Sequence, residues 1–187
     1  MIDPNRLPSD LPVPVDDGAA AHLVGTALPA LALPATDGTQ VTLASLPGYA
    51  VVFAYPRTGR PGEPSLVDDW DSIPGARGCT PQTCGFRDLH AEFAALGARL
   101  FGLSTQETAY QREMTERLGV PFPVLSDARL ALAQALRLPT FTVAGQTLLK
   151  RLAWIQRDGT IVRVFYPVFP PDRNADDVLA ALRTLTV

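Results

Sequence analysis

An uninterrupted apolar run, from Ala50 to Tyr55, constrains the fold of this chain more than any other feature of the sequence. A run of this length without polar alternation is typical of a central strand whose two faces are both buried. Pro56 ends the run, because proline has no N–H group to donate to a neighbouring strand. The run therefore predicts a sheet that is covered on both sides.

Strand-like and helical segments alternate along the rest of the chain. Further strands are predicted at 99–104, 122–125, 150–156 and 161–166, and further helices at 107–118, 128–137 and 175–185. The turn residues Asp37-Gly38 indicate an N-terminal hairpin, and a second hairpin links the last two strands. This order predicts an α/β sandwich with a central mixed sheet flanked by helices, built as one domain over residues 25–187. Residues 1–24, rich in proline and aspartate, are predicted to form an extended arm over the domain surface.

The composition excludes several classes of protein. Hydrophobic residues make up 47% of the chain and charged residues 19%, which is the range of a globular protein rather than a disordered one. The formal net charge of −3, without clusters of lysine or arginine, argues against nucleic acid as the main partner. No apolar run is long enough to cross a bilayer, and the N-terminus lacks the features of a signal peptide. We therefore expect a cytoplasmic protein that does not bind membranes.

Residues 57–78 form a long segment, rich in proline and glycine, that interrupts the alternation. A loop of this length in a compact domain is usually functional or mobile. It contains Trp70 and the acidic pair Asp68-Asp69, so it could serve as a lid or as a surface for a partner. A solvated loop is the simpler interpretation.

A helix is predicted directly after this loop. Its apolar residues recur at intervals of three or four and would share one face: Phe86, Leu89, Phe93 and Leu96. Thr80-Pro81 is predicted to cap this helix and to begin its first turn, and Gly97 is predicted to end it.

Two cysteines, Cys79 and Cys84, lie at the start of this helix. Free N–H groups and the helix dipole favour a thiolate at Cys79, and only the thiolate is a strong nucleophile. Arg77 and Arg87 are possible cationic neighbours. Cys84 lies deeper in the helix, where the N–H groups and the dipole stabilise a thiolate less. Cys79 is therefore predicted to be the attacking cysteine.

The spacing of the two cysteines has a mechanical consequence. In an ideal helix, Cα atoms five residues apart are separated by roughly 8–9 Å, whereas a disulfide tolerates a Cα separation of at most about 7 Å. Cys79 and Cys84 could therefore form a disulfide only if the first turns of the helix unwind. The preceding loop would supply the necessary slack.

Other interpretations of the pair are open at this point. The cysteines could be unrelated buried thiols, which are common and usually inert, or they could form a static disulfide. In a reducing compartment, however, nearby cysteines more often take part in redox chemistry than serve a structural role. A zinc site would need about four ligands, and only His22 and His90 are available to join the cysteines.

The residues around the cysteines resemble a known active site. Gly78-Cys79-Thr80, followed by Cys84-Gly85-Phe86-Arg87-Asp88, is similar to the active-site stretch of the bacterioferritin-comigratory-protein group of peroxiredoxins, also called peroxiredoxin Q. Other segments are similar to the same family in order and spacing over residues 25–185: 33–38, 54–56, 102–104, 121–127 and 151–155. The resemblance implies a thioredoxin-like fold and a thiol-dependent peroxidase that uses no metal, haem or flavin.

The resemblance also implies roles for individual residues. Cys79 would attack hydrogen peroxide or an organic hydroperoxide and become a sulfenic acid, which Cys84 would resolve by forming an intramolecular disulfide. A thioredoxin-like or glutaredoxin-like reductant would restore both thiols. Arg151 would stabilise the thiolate and the peroxide, and Pro56 would shield the sulfur from water. Because the disulfide lies within one chain, a monomer suffices for this chemistry.

The sequence departs from the family pattern in one respect. The family places a threonine or serine three residues before the attacking cysteine, where this chain has Ala76. Thr80, Ser72 or a backbone N–H group could supply the missing hydrogen bond to the peroxide. The long loop also separates Pro56 from the cysteine, so Pro74 could cover the pocket instead.

Two other functions are compatible with the same fold. Leu138-Pro139-Thr140-Phe141 superficially resembles the cis-proline segment of thioredoxin-type thiol–disulfide oxidoreductases, although those proteins carry Cys-x-x-Cys and this chain carries Cys-x4-Cys. A non-catalytic redox sensor would be oxidised rapidly and would change its binding to a partner without turning over.

Overall fold

The computed structural model describes residues 7–186, so the first six residues of the predicted arm lie outside the described residues. Nine strands are present in this part of the chain: β1 (Ala32–Pro34), β2 (Gln40–Thr42), β3 (Tyr49–Ala54), β4 (Arg99–Ser104), β5 (Val124–Ser126), β6 (Thr140–Val143), β7 (Gln146–Leu149), β8 (Leu152–Arg157) and β9 (Thr160–Phe165). The same residues form five α-helices: α1 (Cys79–Asp88), α2 (His90–Ala95), α3 (Thr108–Leu118), α4 (Ala131–Leu136) and α5 (Asn174–Leu185). Within residues 7–186, no helix has the length and apolar character that a membrane span requires.

A five-stranded sheet forms the centre of the molecule, in the order β5-β4-β3-β8-β9. β3 runs parallel to β4 and antiparallel to β8, so the sheet is mixed, as the sequence predicts. Residues 50–55 are fully buried, and their side chains alternate between two apolar layers. Phe53 packs in the layer that contains α1, α2, α3 and α5, whereas Val52 packs in the layer that contains β1 and α4. The central strand predicted from the apolar run is confirmed.

The boundaries of several elements agree closely with the predictions. β4 covers the predicted residues, and Gly119 ends α3 in the left-handed conformation, with a φ of 62°. Asp158 and Gly159 form the turn between β8 and β9, and both have positive φ, as a type I′ hairpin turn requires. β5 begins two residues later than predicted, and α4 is shorter at both ends.

Three expectations about local structure are wrong or incomplete. The helix predicted after the long loop is two helices, because the chain leaves the helical conformation at Leu89, between α1 and α2. Gly78 precedes the first helical residue, so Thr80 and Pro81 lie inside the first turn and do not cap it. The hairpin β6–β7 escapes the sequence analysis, because its strands have only four residues each and alternate only weakly in burial.

The loop at 57–78 is anchored to the domain at Trp70 and Ala76, whereas Asp68 and Asp69 are exposed, so its interpretation as a solvated loop is incomplete. Trp70 is only 7% exposed, and its ring centroid lies 6.4 Å from that of Phe141 in β6. Ala76 and Leu148 are buried in the same cluster. The loop thereby forms a small apolar core of its own against β6–β7.

The segment predicted as an arm, residues 1–24, adds side chains to the core within its described part. Leu23 is fully buried in the layer that contains Val52. Asp17 forms an ion pair with Lys150, with 2.6 Å between Oδ2 and Nζ. The hydrogen bond from Lys150 holds the pKa of Asp17 well below its ordinary value. The end of the segment is therefore tied to the chain just before β8.

Gly78 allows the chain to enter α1 at a crowded point. Its φ of 104° lies in the left-handed region, which residues with a side chain rarely adopt. A Cβ atom at this position would lie 2.3 Å from Cγ of Pro171 and 3.1 Å from a methyl carbon of Leu7. Backbone conformation and packing both require glycine immediately before Cys79.

We expect Gly78→Ala to lower the free energy of unfolding by about 3 kcal/mol or more, because the positive φ and the clash each cost about 1–3 kcal/mol. Gly97→Ala is the matched control: Gly97 has a positive φ of 73°, but an added Cβ would meet nothing within 4 Å among the described residues. Urea-induced unfolding of both variants measures the difference. Equal losses in the two variants would contradict the clash at Gly78.

Candidate active site

Cys79 is the first residue of α1 and is only 4% exposed. This position confirms the prediction that Cys79 begins a helix, where free N–H groups and the helix dipole stabilise an anion. In its thiol form, Sγ donates a long hydrogen bond to the carbonyl oxygen of Ala76, at 3.6 Å. The carbonyl oxygen of Cys79 accepts a hydrogen bond from Oγ1 of Thr83, at 2.9 Å, which adds to the order of the first turn.

Arg151 lies immediately before β8 and brings its guanidinium group to the sulfur. Its Nη2 donates to Sγ of Cys79 at 3.2 Å. The same nitrogen lies within hydrogen-bond distance of three carbonyl oxygens in the preceding loop, those of Gly75, Ala76 and Arg77, at 3.2, 3.1 and 3.1 Å. The structure therefore brings Cys79 and Arg151 together and ties the loop to the same cation.

The charge of Arg151 has no carboxylate partner among residues 7–186. Arg151 is only 3% exposed, and a buried cation without a counter-charge is costly. Its contacts are neutral carbonyl and amide oxygens, apart from the sulfur of Cys79. Among the described groups in contact with this cation, only the sulfur of Cys79 can become an anion.

Two buried amides orient the guanidinium, and the sequence analysis does not identify them. Oε1 of Gln82 accepts a hydrogen bond from Nη1 of Arg151, and its Nε2 donates to Oδ1 of Asn174 at 2.8 Å. Gln82 is fully buried in α1, and Asn174 is the first residue of α5. A polar residue four positions before Phe86, on the apolar face of the helix, is the signal that could have indicated Gln82.

Cys84 lies in the same helix as Cys79, is partly buried and is a free thiol. Burial raises the pKa of Cys84, and the charge of Arg87 partly opposes this rise. The guanidinium of Arg87 donates to Asp88 and to the carbonyl oxygen of Leu118, each at 2.8 Å. Among the described residues, only Cys79 has a guanidinium hydrogen-bonded to its sulfur, and its role as the attacking cysteine stays a prediction.

Tyr55, the last residue of the apolar run, lies close enough to Cys79 for their charges to interact. Its ring is fully buried, and its hydroxyl donates to Oε1 of Gln111 at 3.1 Å. Burial raises the pKa of Tyr55, and a negative charge on Cys79 raises it further. Tyr55 therefore stays protonated, and its hydroxyl remains the donor to Gln111.

A cavity of about 240 Å³ opens onto Cys79. Its lining includes Thr80, in the first turn of α1, and Thr58, whose hydroxyl lies 3.2 Å from Oε1 of Gln106. Trp70 and other residues of the loop at 57–78 form one of its walls. The loop therefore shapes the approach to the sulfur.

Other residues considered from the sequence lie outside this lining. Pro56 is buried at the end of β3 and is not among the residues that line the cavity. Ser72 is exposed and is also outside the lining. Pro74 lines a separate cavity of about 100 Å³ beside Arg151. Of the two hydroxyl groups considered as replacements, only that of Thr80 belongs to the described lining of the cavity.

Comparison with known proteins decides the family. The redoxin family model matches residues 23–180. A Mycobacterium tuberculosis protein classed as a peroxiredoxin is 31% identical over 156 residues, which cover 82% of this chain and 91% of that protein. The chloroplastic peroxiredoxin Q of Suaeda salsa is 26% identical over 162 residues, which cover 86% of this chain and 68% of that protein. The chain belongs to the peroxiredoxins, in the Q group.

Solved structures agree with this assignment. Peroxidoxin BcpB from Mycobacterium tuberculosis matches with a TM-score of 0.70 at 29% identity, covering 87% of this chain and 97% of that one. A structure of peroxiredoxin Q from Xanthomonas campestris matches with a TM-score of 0.66 at 26% identity, covering 88% and 99%. These matches confirm the predicted thioredoxin-like fold. As a peroxiredoxin, the protein is a thiol-dependent peroxidase that acts on a peroxide and draws on a thiol reductant.

We expect Gln82→Met to slow the oxidation of this peroxiredoxin by hydrogen peroxide about tenfold or more, because Arg151 loses an acceptor that fixes its orientation. Gln82→Glu keeps an oxygen acceptor for Arg151 but adds a carboxylate that competes with the sulfur of Cys79 for the charge of Arg151, so it should also react slowly. Stopped-flow oxidation of the reduced protein measures these rate constants.

Thr83→Val is the matched control for this prediction. Thr83 is as buried as Gln82 and lies beside it in α1, but its hydroxyl bonds the backbone of Cys79 and not Arg151. If Thr83→Val slows oxidation as much as Gln82→Met does, Gln82 only stabilises the helix.

Proposed function

We propose that this peroxiredoxin reduces hydrogen peroxide and organic hydroperoxides at Cys79, and that Cys84 resolves the product as an intramolecular disulfide. A thioredoxin-like or glutaredoxin-like dithiol would then reduce that disulfide. The observation that carries the proposal is the 3.2 Å contact between Nη2 of Arg151 and Sγ of Cys79. This contact lies at the N-terminus of α1, where the cavity reaches the sulfur.

In the first step, the thiolate of Cys79 attacks the terminal oxygen of the hydroperoxide. An S–O bond forms and the O–O bond breaks. The electron pair of the O–O bond passes to the leaving oxygen, which takes up a proton and departs as water or an alcohol. Cys79 is thereby oxidised to a sulfenic acid. The fixed N–H groups of Arg151 stabilise the thiolate beforehand and the charge on the peroxide oxygens during the step.

The peroxide also needs hydrogen-bonding groups in place of the hydroxyl that is absent at Ala76. Thr80 lines the cavity, and the first turn of α1 supplies free backbone N–H groups. We propose that these groups hold the peroxide against Arg151. Shielding of the sulfur by Pro56 stays a prediction, since Pro56 lies outside the cavity lining.

In the second step, Cys84 attacks the sulfenic sulfur of Cys79. The S–S bond forms, the S–O bond breaks, and the leaving hydroxide departs as water with the proton that Cys84 gives up. Because both residues lie in α1, their helical Cα separation of roughly 8–9 Å has to fall to about 7 Å or less. The hydrogen bonds of the first turn, from the backbone N–H of Gln82 to Gly78 and from the hydroxyl of Thr83 to Cys79, must therefore open. The second step couples oxidation to local unwinding.

In the third step, a thiolate of the reductant attacks the Cys79–Cys84 disulfide and forms a mixed disulfide. The second thiol of the reductant displaces it, so two electrons from the dithiol restore both cysteines. Cys79 and Cys84 belong to one chain, so a monomer of this protein suffices for the cycle.

A thiol–disulfide oxidoreductase and a redox sensor are the competing functions. An oxidoreductase of the thioredoxin type has two residues between its cysteines, whereas Cys79 and Cys84 have four. Its thiols would react with protein disulfides faster than with peroxide. A sensor would be oxidised rapidly but would not turn over when a thioredoxin system is supplied. The buried contact of Arg151 with the sulfur favours peroxide chemistry over both.

We expect Cys79→Ser to abolish peroxide consumption, because a serine hydroxyl at this position is a weak nucleophile at neutral pH. Cys84→Ser should keep one rapid oxidation of Cys79 but should block the disulfide and the thioredoxin-supported cycle. Peroxide consumption and peptide mapping of the disulfide measure both effects. Turnover by Cys79→Ser would overturn the nucleophile assignment, and full cycling by Cys84→Ser would overturn the resolving role.

We expect Arg151→Ala to lower the rate constant for oxidation of Cys79 by hydrogen peroxide about a hundredfold or more. Arg151→Lys keeps the charge without the planar set of donors, so its loss should be smaller. Arg87→Gln is the control, because Arg87 also lies beside a cysteine but bonds Asp88 and Leu118. A wild-type rate in Arg151→Ala, measured by stopped flow, would contradict the role given to this arginine.

A further inference from the structure

The side chains that line the cavity above Cys79 have a positive formal charge, whereas the whole chain has a negative one. The formal net charge of the protein is −3. Four arginines nevertheless line the cavity: Arg57, Arg60, Arg77 and Arg117. Among the described residues of this lining, Glu63 alone is acidic. Cations concentrated in the cleft of a weakly acidic protein raise the local concentration of anions there.

Two of these arginines are neutralised by close carboxylates. Nε of Arg117 lies 2.7 Å from Oε1 of Glu113, and Nη1 of Arg77 lies 3.2 Å from Oδ1 of Asp71. Each of these pairs has the geometry of a hydrogen-bonded ion pair. Arg117 and Arg77 therefore contribute little uncompensated charge to the cavity.

The other two arginines are not neutralised in this way. The nearest carboxylate oxygens to Arg60 lie 3.6 Å away on Glu63 and 3.9 Å away on Glu113, beyond hydrogen-bond distance. Nε of Arg60 is buried and has no hydrogen-bond partner in the described part of the chain. Arg57 has no carboxylate oxygen within 4.0 Å of its guanidinium among residues 7–186. Arg57 therefore carries charge that no close carboxylate compensates, while Arg60 lies between Glu63 and Glu113 without a hydrogen bond to either and keeps its donors free for a ligand. Arg57 and Arg60 are the cationic pair of the cavity.

One aromatic ring holds this cationic pair in place. The guanidinium carbon of Arg60 lies 4.3 Å from the ring centroid of Tyr110, and that of Arg57 lies 5.2 Å from it. Contacts of this kind fix a guanidinium without neutralising its charge. Two like charges around one ring repel each other, and a bound anion would relieve that repulsion.

The size and walls of the cavity limit the anion that fits. Its volume of about 240 Å³ lies below the range of about 300–1,000 Å³ that is usual for larger ligands. Apolar side chains line part of it, among them Pro61, Leu66 and Trp70. A planar guanidinium binds a carboxylate with two parallel hydrogen bonds. A small organic acid with a short hydrocarbon skeleton meets all of these conditions.

We infer that the preferred substrate of this peroxiredoxin is a small organic hydroperoxide that carries a carboxylate. The carboxylate binds Arg57 and Arg60 at the side of Tyr110, while the hydroperoxide group reaches Cys79. This inference rests on the proposed function and names the substrate class of the same site. Both arginines belong to the loop at 57–78, so the loop determines specificity.

The carboxylate takes no part in the redox step. Cys79 is oxidised to the sulfenic acid, the O–O bond of the substrate breaks, and the substrate leaves as the corresponding hydroxy acid with its carboxylate intact. The two cationic side chains contribute binding and orientation to this substrate, and Arg151 contributes to the bond-breaking step for every peroxide.

The test compares two substrates that differ only in charge. These are 3-hydroperoxy-3-methylbutanoate and its neutral amide, which have the same number of heavy atoms and the same tertiary hydroperoxide. We expect the full-length protein to react with the carboxylate about tenfold or more faster than with the amide, as judged by the rate constant for Cys79 oxidation. Raising the salt concentration from about 0.02 M to about 0.5 M should lower the rate with the carboxylate alone, because salt screens the attraction.

The double variant Arg57→Gln/Arg60→Gln tests the assignment to these residues, and its carboxylate-to-amide rate ratio should fall to about one. Arg163→Gln is the matched control, since Arg163 is exposed on β9, outside the cavity lining, and loses the same charge. The control should keep the wild-type ratio. A wild-type ratio near one overturns the inference, and a ratio retained in the double variant places the carboxylate elsewhere and overturns it as well.

Hydrogen peroxide is included as the reference oxidant, so that failure of the inference and failure of the proposed function are distinguishable. Rapid oxidation of Cys79 by hydrogen peroxide, with no preference between the carboxylate and the amide, leaves the proposed function standing and rejects the anionic substrate. Slow oxidation by all three peroxides rejects the proposed function itself, and the substrate assignment with it.

Discussion

The guanidinium of Arg151 connects parts of the chain that are far apart in sequence. It contacts the sulfur at the start of α1, the carbonyl oxygens of the loop before it and the amide of Gln82, which leads through Asn174 to α5. No carboxylate in the described chain neutralises this buried cation, and the sulfur of Cys79 is the one described group in contact with it that can become an anion. The reactivity of the sulfur and the order of the loop therefore depend on one group.

The same contacts oppose the second half of the proposed cycle. A folded α1 presents Cys79 to the peroxide but keeps it too far from Cys84 for a disulfide. A sulfenic acid is neutral, so its formation removes the counter-charge of Arg151 and weakens the contact that holds the first turn. Each hydrogen bond lost on opening costs only about 1 kcal/mol net. Oxidation of the sulfur thus favours the unwinding that resolution requires.

The loop at 57–78 makes both apolar and cationic contacts, and its composition does not indicate which residues make which. Trp70 anchors it to Phe141 and Leu148, so it has a defined position. Its polar side chains then face the cavity, where Arg57 and Arg60 stack on Tyr110 of α3. The small apolar core of the loop fixes its position, and the loop thereby holds charged groups at fixed positions beside the sulfur.

The sequence by itself determined the mixed α/β architecture, the helical start at Cys79 and the family. An apolar run such as 50–55 and a helical repeat report burial directly, because both depend on local spacing. The family resemblance of residues 151–155 named Arg151 as the cation for the sulfur, but only the tertiary structure decided how that cation is oriented and what covers the cavity. Arg151 lies 72 residues from Cys79 in the chain, and Asn174 lies 92 residues from Gln82. Local sequence patterns do not predict such contacts, because the contacts form only when the sheet and α5 bring distant segments together.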